Sequence, residues 1–113
     1  MSLDFPDSIG KVEVYEREEV KLPCRVTAAA RTNVTWLHRD NVTYRPPRTY
    51  NIYLNGYTYR TLPQRFIIDN ATARDYSLTI LDIHHTDAGR YRCFNHQQLI
   101  ESYYIRVFSK YRY

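Results

Sequence analysis

The sequence predicts an all-β sandwich of about nine strands, and three features carry that prediction. Short runs rich in Val, Ile, Thr, Tyr and Phe recur between polar turns along the 113 residues, with 12 tyrosines and only 3 glycines. This is the composition of pleated, half-buried strands. No segment keeps the 3.6-residue apolar period of a helix. The pair Asn55-Gly56, set between Tyr- and Leu-rich flanks, is a strong hairpin signal because a type I′ turn needs positive φ at both central positions.

Taken in order, the strands are expected at 9–15 (IGKVEVY), 18–26 (EEVKLPCRV), 33–39 (NVTWLHR), 49–54 (TYNIYL), 57–61 (YTYRT), 65–69 (RFIID), 75–81 (DYSLTIL), 89–95 (GRYRCFN) and 99–108 (LIESYYIRVF). Side chains alternate across a strand, so residues two apart share a face. Leu22, Cys24 and Val26 therefore lie together, as do Val34 with Trp36, Tyr91 with Cys93, and Ile105 with Val107. Pro46-Pro47 interrupts the chain ahead of the fourth strand, and Asn95-His96-Gln97-Gln98 is short enough to be a second tight hairpin. Such a hairpin leaves no room for a long binding loop. If the two cysteines pair between facing sheets, Trp36, twelve residues after Cys24, packs its indole on the bridge.

The length suits one domain, because a core over far fewer residues is marginal and two cores do not fit. Residues 9–108 are read as that domain, 1–8 as a lead-in whose Met1-Ser2-Leu3 is a candidate expression scar, and 109–113 as a tail or linker. Hydrophobic residues at 43% and charged residues at 25% match a folded globular domain rather than a disordered segment. No apolar run approaches the ~18 residues of a membrane span, and no basic head or apolar segment marks a secretory signal. Direct membrane insertion by this segment is not expected. A stable Cys24–Cys93 bond, closing 69 positions, is worth ~4 kcal/mol by loop entropy. It implies an oxidising compartment, and so a segment taken from a secreted or surface protein. The formal charge of +4 is uneven. Residues 1–24 hold six acids against three bases, whereas the remainder holds thirteen bases, twelve of them arginine, against six acids. A basic remainder favours acidic proteins or sulfated glycans.

The stretch Asp87-Ala88-Gly89-Arg90-Tyr91-Arg92-Cys93, preceded by Leu78-Thr79-Ile80 and matched with Cys24 and Trp36, resembles the immunoglobulin superfamily over essentially the whole chain. The resemblance implies a Cys24–Cys93 inter-sheet disulfide, with Tyr91 forming a corner through its hydroxyl. It also implies an Asp87–Arg65 pair and Gly89 as the entry to the penultimate strand. The 29 positions from Trp36 to Arg65 leave room for two extra strands, C′ and C″, as in the variable-type (V-set) form. A Phe-Gly-x-Gly joining motif is absent after Cys93, so the likeness is to a germline-encoded V-set module of an adhesion molecule, immune receptor or secreted recognition protein.

Chemistry-bearing alternatives are poorly supported. His84-His85 with Asp82 or Asp87 suggests zinc or copper, but a zinc site needs three or four converging ligands and no third histidine or thiol lies within motif spacing. A polar turn is the expectation, with no metal and no cofactor. Nucleophile-elbow and phosphate-loop motifs are absent, so no enzyme is expected. Arginine interleaved with tyrosine at Arg39, Arg45, Arg48, Tyr50 and Tyr53 suits a protein interface better than nucleic acid in a disulfide-bonded domain. Three N-glycosylation sequons begin at Asn33, Asn41 and Asn70 and fit a secretory history. Asn41 and Asn70 are the better loop sites, and Asn33 opens the third strand.

Alternation also sends Leu37, Arg39, Arg92, Phe94, Tyr104, Arg106 and Phe108 to the outer side of the G-F-C-C′ sheet. Aromatics beside arginines are the composition of binding hot spots. The expected function is extracellular protein recognition, homophilic or heterophilic, with Leu37, Phe94 and Tyr104 central and Arg39, Arg92 and Arg106 orienting an acidic partner at the rim. An anionic-glycan binder is the rival, separable by steep salt dependence that survives Phe94→Ala. A structural spacer that binds nothing is the third reading.

Overall fold

The computed structural model describes residues 10–26, 33–54, 57–58, 65–69 and 74–109. The Asn55-Gly56 turn, the Asn70 sequon, the lead-in 1–8 and the tail beyond residue 109 fall outside them. Among the described residues the strands are β1 (Gly10–Tyr15), β2 (Val20–Leu22), β3 (Val34–Asp40), β4 (Arg48–Leu54), β5 (Tyr57–Thr58), β6 (Phe66–Asp69), β7 (Ser77–Ile80), β8 (Gly89–Asn95) and β9 (Gln98–Phe108). A short 3-10 turn, His85–Asp87, joins β7 to β8. Six strands form one sheet in the order β1-β9-β8-β3-β4-β5, and three form the other in the order β2-β7-β6. The architecture is the V-set immunoglobulin sandwich, and the second strand holds fewer ladder residues than its sequence run, while positions 59–61 of the expected fifth strand lie outside the described residues.

Proline explains the shortened second strand. Pro23 has no N–H to give to a ladder, so β2 stops at Leu22 and pairing resumes only as an isolated Arg25–Asp75 bridge. The loss is local, because Val26 N–H still donates to the Arg74 carbonyl at 3.0 Å and Tyr76 N–H to the Cys24 carbonyl at 2.8 Å. One pairing departs from the antiparallel pattern: β1 runs parallel to β9, with Gly10 opposite Tyr103 and Tyr15 opposite Phe108. Between β4 and β5, Leu54 lies opposite Tyr57. Asn95 lies opposite Gln98, which makes His96-Gln97 a two-residue hairpin loop with His96 at φ 58°.

The core is built by the inward halves of these alternations. Leu22, Cys24, Trp36, Ile52, Leu78, Ile80, Ile83, Tyr91, Cys93 and Ile105 are fully buried. The Cys24–Cys93 disulfide links the two sheets, with a Cα–Cα distance of 6.5 Å. Trp36 stands opposite Cys93 on the neighbouring strand, so indole and bridge share one face. The indole N–H donates to the Tyr76 carbonyl at 2.7 Å, and its ring stacks on Tyr103 at 6.3 Å. Tyr103 donates its hydroxyl hydrogen to the Pro23 carbonyl, tying the last strand to the second. Burial, and next the Glu101 charge, push its phenol up to about 12.

Gly89 is required twice over. Its φ is +129°, and a Cβ there would collide with the Arg39 carbonyl oxygen and press on His38 Nε2. His38 is itself fully buried, with Nε2 2.9 Å from the Ala88 carbonyl oxygen and its ring stacked 4.2 Å from Tyr91. Gly89→Ala is therefore expected to cost about 2 kcal/mol or more of unfolding free energy. Urea denaturation measures it, and a loss below about 0.5 kcal/mol would contradict the packing described.

Candidate binding face

The stretch leading into β8 acts first as a structural lock. Arg65 Nη1 donates to Asp87 Oδ2 at 2.8 Å and Nη2 to Oδ1 at 3.1 Å, a bidentate pair. Nη1 also reaches the Leu81 and Asp82 carbonyls at 3.0 and 3.1 Å. Asp87 Oδ2 accepts the His84 N–H at 2.8 Å, and the Tyr91 hydroxyl donates to the Asp87 carbonyl at 2.5 Å. The histidines turn apart, His84 to Asp82 at 3.5 Å and His85 to Glu16 at 3.1 Å. Among the described residues, no three His, Cys, Asp or Glu side chains converge on a point.

With the inward residues committed to the core, the outer side of the six-stranded sheet carries the rest. On β3 the buried residues are Val34, Trp36, His38 and Asp40, leaving Thr35, Leu37 and Arg39 outward. On β8 Gly89, Tyr91 and Cys93 are buried, leaving Arg90, Arg92 and Phe94 outward. Register places Leu37 opposite Arg92, and Arg39 opposite Arg90. Arg90 in turn stands opposite Tyr104 of β9. Leu37, Arg39, Arg92 and Tyr104 therefore form one contiguous patch.

The other three predicted residues lie to either side. Phe94 pairs with Leu99 across a register shift between Cys93 and Phe94, near the β8–β9 hairpin. Arg106 and Phe108 stand beside Glu13 and Tyr15 of β1. Arg106 pairs with Glu13 at 3.6 Å, both about 60% exposed, and Tyr15 packs on Phe108 at 6.1 Å. An exposed pair of this kind is worth about 1 kcal/mol or less, so Arg106 is only lightly held. Leu37, Phe94, Tyr104 and Phe108 are half-buried rather than fully exposed. Arg92 lies over the Phe94 ring at 5.8 Å and Arg106 over Phe108 at 5.2 Å, each by its guanidinium carbon, so the charged heads partly cover the rings.

A cleft of about 300 Å³ opens beside the patch, lined by Arg39, Asn41, Arg90, Arg92 and Tyr104. Arg90 is sent outward by the same strand parity as Arg92, whereas Asn41 is marked in the sequence only as a sequon. Asn41 belongs to a turn that Asp40 organises by accepting the Val42 and Thr43 N–H groups at 2.9 and 3.0 Å. Burial pushes the Asp40 carboxyl up, but those two amides, the Thr43 hydroxyl and the charge of His38 together outweigh it and hold the group below its ordinary range. Burial, followed by the charges of Arg90 and Arg39, pushes the Arg92 guanidinium down.

The sequons differ in access. Asn41 and Thr43 are exposed. Asn33 is half-buried at the β8–β9 hairpin, its N–H bonded to Asn95 Oδ1 at 3.1 Å and its carbonyl to the His96 N–H at 2.8 Å.

The family model of the immunoglobulin V-set domain matches residues 8–109. The first Ig domain of the mouse polymeric immunoglobulin receptor superposes with a TM-score of 0.71 at 17% identity, over 93% of this chain and 95% of that one. The Ig1–Ig1 heterodimer of ZIG-8 and RIG-5 gives 0.67 at 18% identity, over 96% and 90%. The Ig1 domain of mouse SynCAM 2 gives 0.64 at 21% identity, over 88% and 92%. Comparison with curated protein sequences gave no match. With that model spanning 8–109 and a disulfide joining two sheets of V-set order, the chain belongs to the immunoglobulin V-set family.

Proposed function

We propose that this chain is a non-enzymatic, extracellular recognition module that binds a protein partner through the outer face of β9, β8, β3 and β4. Membership of a family of recognition domains related to adhesion and receptor Ig domains supports protein binding. Solved neighbours include an Ig1–Ig1 heterodimer and an Ig1 homodimer, so sandwiches of this shape do pair with one another. The disulfide and the exposed Asn41 sequon favour the secretory pathway. Among the described residues, no helix is long and apolar enough to cross a membrane.

The observation that carries the reading is the contiguous patch of Leu37, Arg39, Arg92 and Tyr104, extended by Phe94. The guanidinium groups partly cover the rings. A partner that displaces those groups buries the rings and pairs the guanidinium groups together. Arg92→Glu, Phe94→Ala and Tyr104→Ala are each expected to weaken partner binding by about 1–2 kcal/mol, roughly five- to thirtyfold. Surface-protein screening followed by biosensor titration measures this, with thermal melts as the folding control. Binding that survives all three changes rules out this face. Light scattering across concentration, with and without Phe94→Asp, separates a homophilic contact from a heterophilic one.

A further inference from the structure

We infer that the cleft lined by Arg39, Arg90, Arg92, Asn41 and Tyr104 is an oxyanion site that receives the carboxylates of an acidic segment on a heterophilic protein partner. The inference rests on the face proposed above and specifies the chemistry of what meets it.

Its basis is a charge arrangement that the described residues do not balance. Arg39 and Arg90 stand directly opposite each other on neighbouring antiparallel strands, where like charges destabilise a sheet. Arg92 lies two residues along β8 on the same side, and all three line one cleft. No ion pair joins any of them to an acid among the described residues. Arg65 and Arg106, by contrast, each have a carboxylate. Arg92 is half-buried, and its Nε is enclosed without a hydrogen-bond partner. Burial and its two arginine neighbours both disfavour its charge, as expected where a counter-anion is missing.

The walls fit the same ligand. Guanidinium groups bind carboxylates in a planar, two-point manner, and Asn41 and Tyr104 supply uncharged polar contacts beside them. About 300 Å³ exceeds a lone ion and suits a side chain with part of its backbone. A second copy of this chain is a poor occupant. Glu13 lies at the β1 edge of the sheet in an exposed pair with Arg106, while Asp40 points inward and is spent on its turn. A twofold contact whose axis runs through the cleft would set two arginine clusters against each other.

The test is titration of the isotopically labelled chain, carrying Thr43→Ala to remove the Asn41 sequon while leaving Asn41 in place. The probes are an N-acetylated tri-glutamate peptide, its tri-glutamine counterpart and a heparin hexasaccharide. The expected result is peptide-induced NMR shifts clustered at Arg39, Asn41, Arg90, Arg92 and Tyr104, absent with tri-glutamine. Arg90→Gln and Arg92→Gln should each weaken binding about tenfold without lowering the melting temperature, since each removes a like-charge neighbour. Shifts elsewhere, none at all, or cleft binding by the hexasaccharide alone would overturn the inference. So would a concentration-dependent dimer abolished by Arg92→Gln. The two proposals fail separately. A partner sensitive to Phe94→Ala but indifferent to both glutamines keeps the face and removes the cleft. Glutamate binding in the cleft with a partner weakened by both glutamines but indifferent to Phe94→Ala does the reverse.

Discussion

Asp87→Ala is expected to destabilise the domain by about 3–5 kcal/mol, the range for removing one partner of a buried ion pair. Asp87 is 2% exposed, and the side chain of Arg65 is 14% exposed. The alanine variant would leave the guanidinium enclosed with only the Leu81 and Asp82 carbonyls as acceptors. It would also strand the His84 N–H, which Asp87 Oδ2 now receives. Both losses fall at the turn that carries the chain from β7 to β8. Asp87→Asn keeps one acceptor and similar volume, so an intermediate loss is expected. Arg65→Met combined with Asp87→Leu should recover part of the alanine deficit, because no buried charge is then left alone. Urea unfolding measures all three. An alanine deficit below about 1 kcal/mol would mean the pair is far better solvated than its burial indicates.

Replacing both Cys24 and Cys93 with alanine is expected to cost about 2–5 kcal/mol, with ~4 kcal/mol from loop entropy alone. The bond closes 69 positions and joins the two sheets at the centre of the core, where both residues are fully buried. In a domain of this size the melting temperature should fall by about 15 °C or more. Reduction of the folded protein is a different experiment, since a reductant reaches a fully buried bond only after opening. The comparison therefore uses chains reduced while unfolded and then refolded, with free thiols counted. A melt unchanged after verified reduction would show that packing alone holds the sandwich.

How far the sequence could be read depended on whether the signal was local. The alternation of Leu22, Cys24 and Val26, or of Tyr91 and Cys93, is a two-residue pattern, so its faces could be assigned without knowing any neighbour. Pro23 acts equally locally on the backbone, by removing a ladder donor. The parallel placement of β1 beside β9 had no such signal, because it depends on residues about 93 positions apart, as in Glu13 and Arg106. For that reason the sequence puts Arg106 at the rim and Phe108 on the same face without naming their nearest companions, Glu13 and Tyr15. Register shifts at Trp36/Leu37 and Cys93/Phe94 were invisible too, since a bulge is set by how two strands meet.

The arginine cleft shows the same division. Sequence parity alone determined that Arg39, Arg90 and Arg92 point away from the core, and periodicity with the Cys24, Trp36 and Asp87–Cys93 pattern determined the sandwich. Only the tertiary structure decided that Arg39 faces Arg90 across a ladder and that Tyr104 and Asn41 complete the walls. The physical reason is that a side chain's direction follows from its own strand, whereas its neighbours follow from strand order and register, which the chain settles only by folding.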